Sequence, residues 1–125
     1  MVQYINIHMQ IKEDYANIIW KRARESAKKR GIPFELSRLD VMNMTVPITC
    51  PVLGIPIRME NKQASDNSLS IDRINSEKGY SFDNCIFVSW RVNKLKSDAT
   101  LNELVRIAEY YSAIEKESLL LENNE

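Results

Sequence analysis

Ile11, Tyr15, Ile18, Ile19, Ala23 and Ala27 recur at three- and four-residue intervals, which predicts one amphipathic helix over residues 11–30. Gly31 can take the left-handed conformation that ends a helix, and Pro33 prevents resumption. Ser37 with Asp40 three positions on predicts a capped short helix in "FELSRLDVMNM". "ITCPVLGIPIRM" reads as extended chain with a turn at Leu53–Gly54, its two prolines excluding a central strand. Residues 60–68 are polar and aperiodic, a loop. The period then drops to two: Leu69 and Ile71 alternate with Ser70 and Asp72. "NSEKGYSFDN" supplies turn residues, "CIFVSW" a second strand from Cys85 to Trp90, and "RVNKLKSD" a short helix. A long helix follows, with Thr100 as N-cap, Glu103 closing a capping box, and Leu101, Leu104, Val105, Ala108, Tyr111 and Ile114 as its buried face. Loss of that cap costs about 1 kcal/mol.

This order of elements is α+β. At 125 residues the chain is expected to form one domain: a helical lead-in and loop over 1–67, a hairpin and helix over 68–98, and a last helix with a frayed tail over 99–125. No apolar run is long enough to span a membrane, and "MVQYINIHMQ" lacks the pattern of an export signal, so the expected location is cytoplasmic. The two cysteines, Cys50 and Cys85, form no CxxC pair; two buried thiols are expected, and sequence alone leaves a disulfide open.

Net charge is zero, yet its distribution is uneven. Residues 20–31 carry six basic residues and one acid, and residues 103–125 carry six acids against two bases. The basic run is either a solvated helix face or a set of phosphate contacts through Lys21, Arg22, Arg24, Lys28 and Lys29. His8 is the one histidine, with no partner pattern around it.

Candidate chemistry lies in "SLSIDRINSEKGYSFDNCIFVSWRVNKLKSD", residues 68–98. Its ordered set of Asp-x-Ile-like strand, Gly-Tyr, Asn and Asn-x-x-Lys resembles the HNH endonucleases, also called ββα-metal or His-Me finger nucleases. The preceding "AKKRGIPFEL…CPVLGIPI" looks like the lead-in of small HNH-type proteins, many of them from bacteriophages. The resemblance implies a ββα-metal hairpin–helix core flanked by the first and last helices. It implies one divalent metal, Mg²⁺ or Mn²⁺, held by Asp72 and Asn93, with oxygen donors suited to such a hard ion. Asn84 would fix the hairpin. Arg73 and Lys96 would meet a phosphate, with Lys78, Arg91 and Lys94 as further contacts, and duplex DNA as the partner. A host protein is the other partner considered, and no membrane.

Two departures qualify that picture. Where the family places a water-activating His, this chain has Arg73. Neutralising an arginine near pH 7 costs about 7 kcal/mol, so Arg73 cannot serve as general base, and a missing base costs ~10²–10⁴ in rate. Tyr80 and Asp83 are local substitutes. Further, the positions matching the family's zinc knuckles are Cys50, Leu53, Ser89 and Val92, so no structural zinc is expected. Leu53, Val92 and Trp90 are expected to pack there instead, under both terminal helices. The residues also admit bland roles: Asp72 as a turn cap, Asn84 as a structural amide, Asn93 as a surface residue. Three functions follow: a DNA endonuclease that hydrolyses or nicks phosphodiester bonds with one metal; a catalytically inactive protein of the same fold that binds DNA or a host protein by occupancy; or, should the resemblance mislead, an interaction domain with an acidic C-terminal helix.

Overall fold

Helix α1 (Glu13–Arg30) opens the fold, and the computed structural model describes residues 8–59 and 63–123. Tyr15, Ile19, Ala23 and Ala27 are buried along one face, joined by Ala16, while Ile18 is half-buried. Gly31 stops the helix at φ 66°, its N–H returning to the carbonyls of Ala27 and Lys28. Helix α2 (Arg38–Asn43) carries the expected capping box: Asp40 N donates to Ser37 Oγ at 3.0 Å, and Ser37 N donates to Asp40 Oδ2 at 2.9 Å. Trp20 of α1 donates its indole N–H to the Leu36 carbonyl at 2.7 Å, tying the α1–α2 connection down. A two-residue strand, β1 (His8–Met9), pairs antiparallel with β2 (Val46–Pro47). The His8 side chain lies outside the described residues.

The Cys50–Pro56 segment is the predicted turn. Cys50 N donates to Ile55 O at 2.7 Å, and Gly54 takes φ 72°. Strands β3 (Leu69–Arg73) and β4 (Cys85–Ser89) form the antiparallel hairpin, with Leu69 opposite Ser89 and Arg73 opposite Cys85. The second strand ends one residue before the expected Trp90, because Ser89 Oγ caps helix α3 (Trp90–Lys96), accepting from Val92 N at 3.3 Å. The hairpin's inner face, with Leu69, Ile71, Cys85 and Phe87, packs into the α1–α2 core. Helix α3 covers the outer face, where Val92 is buried. The architecture is α+β, and among the described residues no helix is long and apolar enough to cross a membrane.

Both cysteines are free and buried. Burial pushes the Cys85 thiol up to about 11.

Helix α4 (Leu101–Asn123) starts on the predicted box: Glu103 N donates to Thr100 Oγ1 at 3.1 Å and Thr100 N to Glu103 Oε1 at 2.9 Å. Its expected buried face does not exist. Leu104 is half-buried, and Leu101, Val105, Ala108, Tyr111 and Ile114 are all exposed. The amphipathic spacing predicts burial against the chain's own body, yet beyond Leu104 every described side chain of α4 is exposed. The core therefore closes without α4, beneath α1 and α2 and with Val92 of α3.

Candidate functional site

Helix α3 lies along the free edge of β3, and polar side chains make that seam. Asn93 donates its amide nitrogen to Ser70 Oγ at 2.7 Å and to the Ile71 carbonyl at 3.3 Å. One turn later, Lys96 donates its ammonium to Asp72 Oδ2 at 2.8 Å and to the Arg73 carbonyl. One helical turn, about 5.4 Å, nearly matches two strand residues, about 6.6 Å. Beyond the bridge of Ser68 to Arg58, no strand among the described residues pairs with this edge, so the same i, i+3 pair satisfies its two successive outward carbonyls.

Asp72 and Asn93 consequently stand on one strip, but they do different work. The Asp72 carboxylate forms a salt bridge with Lys96 in which the two side chains are only 8% and 16% exposed. Asn93 turns its nitrogen, not its oxygen, toward the strand, since Ile71 O can only accept. Asp72 lines an apolar groove with Val88, Val92 and Leu95, whereas Asn93 lines a polar groove on the α1 side. Asp72 and the Arg73 carbonyl do converge on a cation, and it is the protein's own ammonium. Among the described residues no three His, Cys, Asp or Glu gather to hold a metal. In this arrangement the residues do not fit a divalent ion, because its strongest donor is already neutralised.

Arg73 sits on the opposite face. Strand β3 stays regular through it, so neighbours 72 and 73 point apart. Its guanidinium is buried, with Nη1 donating to the carbonyls of Ser76 at 2.7 Å and Lys78 at 2.8 Å, and it lies 5.4 Å from the Tyr80 ring centre. Asn84 closes the same loop: its amide donates to Gly79 O at 2.8 Å and Asn75 O at 3.1 Å, and its oxygen accepts from Asn75 N at 2.9 Å. The loop is pressed against the lead-in as well, since a Cβ on Gly79 would lie 2.5 Å from Pro33 O. Tyr80 is buried against Phe34 and Asp83 is exposed.

Of the residues matched to the zinc knuckles, Cys50 and Ser89 do meet, Ser89 N lying 3.5 Å from Cys50 Sγ. Val92 is buried and lines the apolar groove with Leu53, but Leu53 is exposed and Trp90 packs elsewhere, beside the polar groove. The expected filling by all three is therefore replaced by Val92 alone over a groove still open to solvent.

The basic residues divide into groups. Arg22, Ser26 and Arg30 follow the i, i+4, i+8 line of α1 and face Ser70, Trp90 and Asn93 across a groove of about 160 Å³. Arg30 Nη1 reaches Ser26 Oγ at 3.3 Å, and among the described residues no carboxylate pairs with either arginine. Lys21, Arg24 and Lys28 run on a separate line of α1, with Arg24 stacked on Trp20 at 4.4 Å, and Lys29 is exposed. Lys94 pairs with Asp66 at 2.7 Å and lies 4.4 Å over the Trp90 ring, while Arg91 and Lys78 are exposed.

Comparison with known protein families, curated proteins and solved structures finds no match to this chain.

The sequence does not single out Arg30, Ser26 or Ser70, and it assigns Trp90 to the zinc position and not to this groove. The signal was present in the i, i+4, i+8 spacing from Arg22, but only the fold says which line of α1 faces the hairpin.

Proposed function

We propose that this chain is an HNH-like hairpin–helix protein that binds duplex DNA. The observation that carries the reading is the groove between α1 and β3–α3, where the Arg22 and Arg30 guanidiniums, paired with no carboxylate among the described residues, face an amide, hydroxyls and an indole. Guanidinium forks and hydroxyls are the groups that hold phosphodiester oxygens, and neutralising phosphates releases counterions. On α3, Arg91 is a further exposed cation, while Lys94 is paired with Asp66. The ββα-metal resemblance supports DNA as the polymer, and binding by occupancy needs no general base and no metal.

Metal-dependent cleavage is the second reading. The resemblance favours it, and so does the Asn93 oxygen that the strand leaves unused. It requires the Lys96 ammonium to leave Asp72. Only then could Asp72 and Asn93 hold one Mg²⁺ or Mn²⁺, which would supply Lewis-acid chemistry for hydrolysing or nicking DNA. A supercoiled-plasmid assay with either ion separates the two. Under the occupancy reading, wild type shifts the plasmid in a gel without nicking it, and Asp72→Ala and Asn93→Ala behave alike. Metal-dependent nicking that both substitutions abolish would replace occupancy by catalysis.

A further inference from the structure

Two apolar features of this chain have no partner among the described residues. The first is α4. Leu104, Ile107, Tyr111, Ile114, Ser118 and Leu121 fall at alternating intervals of three and four, the a and d positions of three successive heptads. Ile107, Tyr111, Ile114 and Leu121 are 45–66% exposed. A helix of this length gains little stability from its backbone alone and normally rests on tertiary packing. The second is the apolar groove of about 350 Å³ beside α3, walled by Val52, Leu53, Ile74, Ile86 and Leu95. Leu104, the first seam residue, also lines it, so groove and seam are continuous.

We propose that both are covered by a second copy of this chain, its α4 packed antiparallel on the first. In that arrangement Leu104 meets Leu121 of the second copy, Tyr111 meets Ile114, and Ile107 meets Ser118. The consecutive leucines at 119–121 then arrive at Leu104. Beyond the seam's own need for Leu121, Leu119 and Leu120 are the apolar groups that enter the groove. The interface is isologous, so each copy fills the other's groove.

Charge fixes the orientation. A parallel pair sets the flanking Glu117 of one chain against Glu122 of the other, and does so twice. The antiparallel pair sets Glu117 against Tyr110, Glu115 against Ala108, and Glu122 against Leu101. It therefore brings no flanking carboxylates together. It also places opposite ends of the two helix dipoles side by side.

The test is sedimentation equilibrium with disulfide mapping on the full chain. Wild type is expected to sediment at twice its 14.5 kDa mass, and Ile114→Asp at once that mass with the core still folded, because α4 has no buried residue. Under mild oxidation, a Leu104→Cys chain mixed with a Leu121→Cys chain should give the mixed dimer; the native thiols are buried and stay out of the reaction. A monomer at all accessible concentrations would overturn the proposal. So would a dimer that Ile114→Asp leaves intact, or cross-linking of Leu121→Cys to itself in preference to the mixed pair, which is the parallel result.

Discussion

Replacing Arg73 with methionine is expected to lower the free energy of unfolding by about 3 kcal/mol in urea titration. Arg73 is 6% exposed, and its Nη1 is the donor to two main-chain carbonyls of the hairpin loop. A hydrogen bond from a charged donor contributes about 1.5–3 kcal/mol. Methionine preserves much of the apolar stem and its contact with Tyr80 but supplies no donor, so both carbonyls lose their partner. The Arg73→His variant is equally informative. Imidazole is too short to span the loop as arginine does, and it would hang on the Tyr80 side of the strand, away from Asp72. It is therefore expected to destabilise the hairpin and to add no cleavage. A loss below about 1 kcal/mol for Arg73→Met, or a gain of nicking in Arg73→His, would contradict the structural role assigned to this residue.

Lys96→Met should be costlier still, about 3–5 kcal/mol, because it leaves the Asp72 carboxylate nearly buried with no counter-charge. The Arg73 carbonyl on the free edge of β3 would lose a donor as well. The double variant Asp72→Asn, Lys96→Met removes the stranded charge and should recover much of the loss. A thermodynamic cycle over the four proteins isolates the coupling. The Lys96→Met protein also tests the metal reading without any assay of activity. If Asp72 can take a divalent ion once its ammonium is gone, millimolar Mn²⁺ raises the unfolding midpoint of Lys96→Met and leaves wild type unchanged. A cycle with no coupling would mean that the pair is a surface ion pair of little consequence.

Local chemistry made much of this fold legible in the sequence. Gly31, the Ser37–Asp40 box, the Leu53–Gly54 turn and the Thr100–Glu103 box act on their own few residues, and each lies where expected. The period-two run at Leu69–Asp72 likewise forms a strand. What failed required knowing the partner of a face. The spacing of α4 marks an apolar stripe, but spacing cannot say whether the stripe meets the same chain. The HNH resemblance places Asp72 and Arg73 in one site, which strand neighbours can share only if the strand ends or bends there; β3 stays paired through Arg73, so the two point to opposite faces. Lys96 was expected to meet a phosphate, and it instead spans Asp72 and an edge carbonyl. The seam between α3 and β3 could be read only once helix pitch and strand rise were set side by side.

The central claim is that the groove between α1 and the hairpin–helix unit holds the phosphates of duplex DNA. The most direct measurement is anisotropy of a labelled duplex titrated with protein across a series of salt concentrations, for wild type and for Arg22→Gln, Arg30→Gln. The account predicts wild-type affinity that falls steeply with salt, and a double variant whose log–log slope is shallower by about 2. Binding that is absent at low salt, indifferent to salt, or unchanged in slope when both arginines are gone would contradict it.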